Sequence, residues 1–214
     1  MVINKKENVK NNLFKERHAM ETINKFNTSA VSPHIESWSL IDWKKIYEYV
    51  KKLRQRIFCA EQLGQKRKVR KLQRLMIRSN ANLLLSIKRV TQINKGKKTA
   101  GVDSQIAITS SDRLRLYNLL KKCSINHIRP KPVKLIYIPK KNGKMRPLGI
   151  PVIKDRIFQN TVKNALEPQW EARFEPPSYG FRPKRRTQNA IVNLLTKLSS
   201  RSTRHWVFEV SMNK

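Results

Sequence analysis

The chain has 214 residues, with 47 Lys+Arg against 14 Asp+Glu and a formal net charge of +33. So large an excess of one sign is the electrostatic footprint of a partner built from phosphates. Hydrophobic residues make up 39%, below the usual globular share of about 45–50%, so a core can form but not along the whole length. No apolar run approaches the roughly 18 residues of a membrane-spanning helix. Cys59 and Cys123 lie far apart with no C-x-x-C spacing, and His18, His34, His127 and His205 are scattered, so no zinc site is readable. Residues 1–25 have no hydrophobic run and carry Glu7, Glu16 and Glu21, which argues against a targeting peptide. The expected setting is a reducing one, a bacterial cytoplasm or an organellar matrix or stroma.

Residues 1–37 are polar and Asn/Lys-rich, and are expected to form a flexible arm. Residues 38–130 are expected to form a helical basic extension. Ser39-Leu40-Ile41-Asp42 resembles a capping box with Asp in place of Glu or Gln. Trp43, Ile46, Tyr47, Val50, Leu53 and Ile57 then follow one helical face, and Lys44, Lys45, Lys51, Lys52, Arg54 and Arg56 fall mostly elsewhere. Residues 62–78 hold Lys66, Arg67, Lys68, Arg70, Lys71, Arg74 and Arg78 with no acid, while Val69, Leu72, Leu75 and Met76 keep a helical rhythm. A merely solvated face usually mixes signs, because i,i+4 Glu–Lys pairs support a helix. Cations without acidic partners point instead to phosphate contact. Asn94 to Asp103 reads as a basic loop with Lys97 and Lys98, in which Gly96 and Gly101 let the backbone approach something closely. Ser110 or Ser111 caps a helix through Leu114, Tyr117, Leu119 and Leu120, and Pro130 and Pro132 end that stretch.

Residues 131–214 change pattern. Val133 to Ile138 is a strand candidate, Asn142-Gly143 signals a type I′ hairpin turn, and Lys144 to Ile150 is the return arm. Lys140, Lys141 and Lys144 crowd the turn, and Lys144 and Arg146 share a strand face. Such a pair can clamp a phosphate chain, Arg bidentately and Lys as a point charge. Charges on an edge strand also guard against aggregation, and composition leaves both readings open. A helix opens at Lys154-Asp155 with Ile157, Phe158, Val162, Ala165 and Leu166 on one side, and Pro168 is expected to break it. Ala190, Ile191, Leu194, Leu195 and Leu198 mark another helix, and Trp206 to Val210 a final strand.

Taken in order, Gly101-x-Asp103, Arg146-Pro-Leu-Gly-Ile-Pro151, Lys154-Asp-Arg156 and Ser178-Tyr-Gly-Phe-Arg-Pro183 resemble the front half of a group II intron reverse transcriptase, or maturase. The resemblance runs from about Trp38 to Lys214. It implies an α/β architecture: a helical basic extension followed by the incomplete fingers and palm of a right-hand polymerase. In that family the fingers grip the template and the incoming nucleotide's phosphates. The resemblance carries that role to Lys140, Lys141, Lys144, Arg146 and Arg182.

The chain departs from the family pattern twice. Lys184-Arg185-Arg186 stands where Gly-Phe-Arg-Pro is usually followed by Gly-Arg-Ser, and Ser211 falls at the first metal-binding aspartate when the strand is aligned on Phe208. A serine hydroxyl does not replace a carboxylate on Mg²⁺. Glu209 lies two residues away, roughly 6.6 Å along a strand. The 214 residues hold no Tyr-x-Asp-Asp, whereas two-metal phosphoryl transfer needs carboxylates around both ions. The expectation is therefore a chain truncated at the first catalytic motif, without catalytic or metal residues of its own. It would need no cofactor, Mg²⁺ belonging to a complete family member. Its partner would be structured RNA, group II intron RNA in particular, with no membrane involved. One alternative is part of an RNA-directed DNA polymerase completed by a second polypeptide, and another is a general basic RNA-binding module.

Overall fold

The computed structural model describes residues 37–123, 125, 128–140 and 143–198. After a 3₁₀ turn at Trp38–Leu40, helix α1 covers Trp43–Gln62. Its N-cap is Asp42, whose carboxylate accepts the Lys45 N–H at 3.1 Å. The helix therefore starts three residues later than a box opened by Ser39 requires; Ile41 is extended and separates the two turns. α1 buries Ile46, Tyr49, Val50, Leu53, Ile57 and Ala60. Tyr47, expected in that stripe, is 46% exposed, and Tyr49 takes its place at 7%. At about 100° per residue Tyr47 sits about a quarter-turn from the centre of the stripe.

Gly64 ends α1 with φ of +67°. Its N–H donates to the Glu61 carbonyl and that of Gln65 to the Ala60 carbonyl, both at 2.9 Å. A left-handed residue is what lets the last carbonyls be satisfied in this way. Helices α2 (Lys66–Arg78) and α3 (Asn80–Lys88) follow, and α3 runs on into a single π turn at Arg89–Ile93. Helix α4 covers Ser110–Leu120. Its cap is Thr109 rather than either serine: Thr109 Oγ1 accepts the Asp112 N–H and the Asp112 carboxylate accepts the Thr109 N–H, each at 3.1 Å. Only Thr109 has an acid three residues on, so only it closes a reciprocal box.

Strands β1 (Lys134–Pro139) and β2 (Met145–Ile150) form an antiparallel hairpin, with Ile138 opposite Arg146 and Tyr137 opposite Pro147. The turn is not type I′. Lys140 N–H donates to the Lys144 carbonyl at 2.8 Å and Gly143 N–H to the Lys140 carbonyl at 3.0 Å, with Gly143 at φ +73°. That is a three-residue loop closed by a left-handed glycine. Asn142 and Lys141 lie outside the described residues.

Helix α5 (Ile153–Arg173) runs through Pro168 rather than stopping there. Proline costs it one hydrogen bond, but Pro168 is buried and α5 packs along α1, α2 and α3. Burial outweighs the lost bond. α5 thus joins the helices on the other side of residue 130 in one core with Ile46, Leu53, Ile57, Met76, Leu84, Ile87, Ile157 and Ala165 at its centre. Asn82 pins that core. Its amide donates to the carbonyls of Met76 (3.1 Å) and Thr161 (3.0 Å) and accepts from Asn164 (2.8 Å). Helix α6 (Thr187–Lys197) buries none of its residues. Among the described residues the chain is mostly helical with one two-stranded sheet. The expected strand at Trp206–Val210 lies outside them.

Candidate nucleic-acid interface

Helix α2 has two chemically opposite faces. Val69, Leu72 and Met76 are buried against α1 and α5, and Gln73 donates to Gln169 of α5 at 2.7 Å. Opposite them, at about 100° per residue, Lys66, Arg67, Arg70, Lys71, Arg74 and Arg78 fall within an arc of about 140°, all exposed. Lys68 is also exposed but stands to one side of that arc. Among the described residues no carboxylate pairs with any of those six. Burial of the apolar face fixes which way the helix is turned, so the core itself aims the cations outward. The stripe is suited to following the phosphates of a nucleic-acid strand.

Lys97 and Lys98 lie in a 3₁₀ turn at Lys95–Lys98, both exposed. Lys97 Nζ donates to the Gln92 carbonyl at 3.1 Å. The loop is fastened to the start of α5 by Arg156, whose guanidinium donates to the carbonyls of Pro151 (2.9 Å), Gly96 (3.2 Å) and Thr99 (2.5 Å). The Lys-Asp-Arg motif thus has a holding role that its sequence did not reveal, because the acceptors are backbone carbonyls. Gly101 makes the close approach expected of a glycine here: a Cβ on it would lie 2.7 Å from the Val152 Cα. Gly96 has nothing within 4 Å.

In the hairpin, Lys140, Lys144 and Arg146 share one face, since Lys140 faces Lys144 and Arg146 faces Ile138. Both strands are exposed on both faces. Lys141 lies outside the described residues.

Arg182 departs from its expected place among the phosphate contacts. Its side chain is 5% exposed and its guanidinium grips the Glu171 carboxylate at 2.7 and 3.1 Å. It also donates to the carbonyls of Glu175 (2.7 Å) and Ser178 (2.8 Å) and lies over the Phe174 ring at 5.3 Å. A buried guanidinium matched to a carboxylate and two carbonyls holds the turn after α5 and is not presented to an outside phosphate. Sequence named Arg182 but could not name Glu171, eleven residues earlier in the last turn of α5. Two residues on, Lys184 takes φ of +61°, in the position where the resemblance calls for glycine.

Lys88 sits with its Nζ 4.1 Å from the Trp43 ring centre and 5.3 Å from that of Tyr47. Desolvation lowers its pKa below the ordinary lysine value. Its charge belongs to the aromatic pair rather than to the interface.

Among the described residues no cluster of three His, Cys, Asp or Glu side chains could hold a metal ion. Ser211 and Glu209 lie outside those residues. None of the described helices is long and apolar enough to cross a membrane.

Comparison with known proteins places these features. Residues 38–120 match the N-terminal domain of reverse transcriptase, and residues 138–212 match reverse transcriptase (RNA-dependent DNA polymerase). Protein YkfC of Escherichia coli K12 is 38% identical over 144 residues, covering 65% of this chain and 38% of the relative. Maturase-like protein 1 of Euglena gracilis is 32% identical over 174 residues, 80% of this chain and 38% of the relative. The group II intron-encoded protein LtrA of Lactococcus lactis is 38% identical over 99 residues, 46% of this chain and 16% of the relative. The chain thus spans 38% of the length of the first two of these relatives. The mostly helical body with its small hairpin is an incomplete reverse-transcriptase fold. The chain belongs to the group II intron reverse transcriptase and maturase family and corresponds to the N-terminal part of its members.

Proposed function

We propose that this chain binds structured intron RNA through its helical N-terminal part and performs no nucleotide transfer as a 214-residue polypeptide. The observation that carries the reading is the exposed, carboxylate-free face of α2, turned outward by burial of Val69, Leu72 and Met76. Lys97 and Lys98 add charge on the loop that Arg156 fastens. A double-stranded RNA offers its phosphates and shape more readily than its base edges, and an array of exposed Lys and Arg is matched to that. The hairpin cations Lys140, Lys144 and Arg146 serve a separate task, holding template or nucleotide phosphates when synthesis takes place. Mg²⁺ would belong to that synthesis and would be held by residues other than Ser211. The setting proposed is a bacterial cytoplasm or the interior of an organelle.

The test is filter binding of a labelled group II intron RNA at several salt concentrations, with an unrelated structured RNA as competitor. The reading expects log affinity to fall steeply and linearly with log salt. It also expects the intron RNA to resist competition. Equal competition would reduce the protein to a general basic RNA-binding module.

A second reading has one specific observation in its favour. α6 exposes Ile191, Val192, Leu194 and Leu195, and Trp170 of α5 is exposed on one groove with Phe174 and Phe181, which follow that helix. Apolar surface of this kind marks an interaction site. It suits a polymerase whose palm is completed by further polypeptide. Recovery of primer extension on adding a palm-and-thumb polypeptide would support that assembly.

A further inference from the structure

We infer that the cavity between the end of α2, the first turn of α3 and the end of α4 receives one unpaired nucleotide of the RNA, its base inside and its phosphates at the rim. The inference deepens the RNA-binding reading and rests on it.

Charge separates this cavity from the two larger ones. The groove along α5, about 730 Å³, is flanked by Asp155, Glu167 and Glu171 and by Lys163 and Arg182. A second cavity of about 720 Å³ is lined by Asp103, Asp112 and Asp155 together with Arg115, Arg129, Lys131 and Lys154. Both therefore mix the two signs of charge, whereas a phosphate is matched best by cations alone. The third, about 530 Å³, has Arg74, Arg78, Lys121 and Lys122 around it and no carboxylate among its described lining residues. Its volume lies in the range of small-ligand sites, about 300–1,000 Å³.

The interior has the chemistry of a base site. Leu83, Leu120 and Phe158 wall it, at 7%, 1% and 7% exposure. Asn80, exposed and first in α3, can offer both amide donor and carbonyl acceptor to a base edge. The first amides of α3 have no partner within the helix. Apolar walls, one hydrogen-bonding amide and a cationic rim are the combination that takes a splayed-out nucleotide.

Position supplies the link to the rest of the interface. Arg74 and Arg78 belong both to the α2 stripe and to the cavity rim. A backbone running along α2 therefore arrives at the mouth. RNA is read largely at loops and bulges, where unstacked bases leave the helix, so a bulged nucleotide reaching this end of α2 has a place to go.

The test uses the 214-residue protein and two RNA hairpins of equal length, one fully paired and one with a single unpaired adenosine. The wild type should bind the bulged hairpin about tenfold more tightly, the scale of stacking one base, and should protect that adenosine from methylation by dimethyl sulfate. Asn80→Trp, which fills the mouth and leaves every cation in place, should remove the preference and keep the affinity for the paired hairpin. Equal wild-type affinity for the two hairpins, or an adenosine that stays reactive in the complex, overturns the inference while RNA binding stands. Binding of neither hairpin overturns the RNA-binding reading together with it.

Discussion

Arg182 and Glu171 form a two-point ion pair, with contacts of 2.7 and 3.1 Å, that ties the Ser178–Pro183 turn back onto α5. The motif's arginine therefore serves the fold first. Arg182→Gln should lower the melting temperature and leave the salt dependence of RNA binding unchanged. A lost phosphate contact would instead reduce the log–log slope by about 1. Lysine should rescue poorly, since it cannot reproduce a bidentate fork. Comparing slopes for the folded variants decides between the two roles.

Lys184 offers a stability test at the turn where the chain departs from its family. A non-glycine residue at φ +61° carries a left-handed penalty of about 1–2 kcal/mol. Glycine removes it but gives back about 0.5–1 kcal/mol in unfolded-state entropy. Lys184→Gly should therefore be neutral to stabilising, by up to about 1.5 kcal/mol, as read by denaturant midpoint. A clear loss of stability would show that the lysine makes a contact outweighing its backbone strain.

Glu167 links stability to pH. Burial pushes its carboxyl up, but the Arg54 guanidinium and then Lys163 pull it down further, so it ends below the ordinary value of 4.5. A lowered carboxyl contributes its stability above the unfolded pKa and loses it as pH falls through the folded one. Glu167→Gln should cost about 1–2 kcal/mol at neutral pH. The gap between variant and wild type should close as pH drops below about 4.5. A gap that stays constant down to pH 3 would assign the effect to packing.

How far sequence carried can be judged residue by residue. The face of α2 was legible because three apolar positions at helical spacing fix its orientation, and the cations then have only one side left. The hairpin was legible from Gly143, although its loop is one residue longer than a type I′ turn. Tyr49 in place of Tyr47 was missed because periodicity gives a stripe only to within a quarter-turn. Pro168 was misjudged because local chemistry breaks a helix there, whereas the packing of α5 on α1, α2 and α3 holds it. The partners of Arg182, the Glu171 carboxylate and two backbone carbonyls, are set by the fold and no local pattern reveals them. Arg156 escaped for the same reason.

Primer extension by the purified 214-residue polypeptide should be absent with either Mg²⁺ or Mn²⁺. Ser211→Asp alone should not restore it, because these residues hold no Tyr-x-Asp-Asp to supply the second carboxylate pair. Extension by a preparation free of contaminating polymerase would overturn the alignment of Ser211 with the metal-binding aspartate.

The most direct measurement compares two variants for affinity to one group II intron RNA at fixed salt. In the first, Lys66, Arg67, Lys68, Arg70 and Lys71 become Gln; in the second, Lys144 and Arg146 become Gln. If α2 is the intron-RNA surface, the first variant should bind far more weakly and with a much shallower salt slope, while the second stays near wild type. A hairpin variant that binds more weakly than the α2 variant would contradict the account and move the intron-binding surface to the β1–β2 turn.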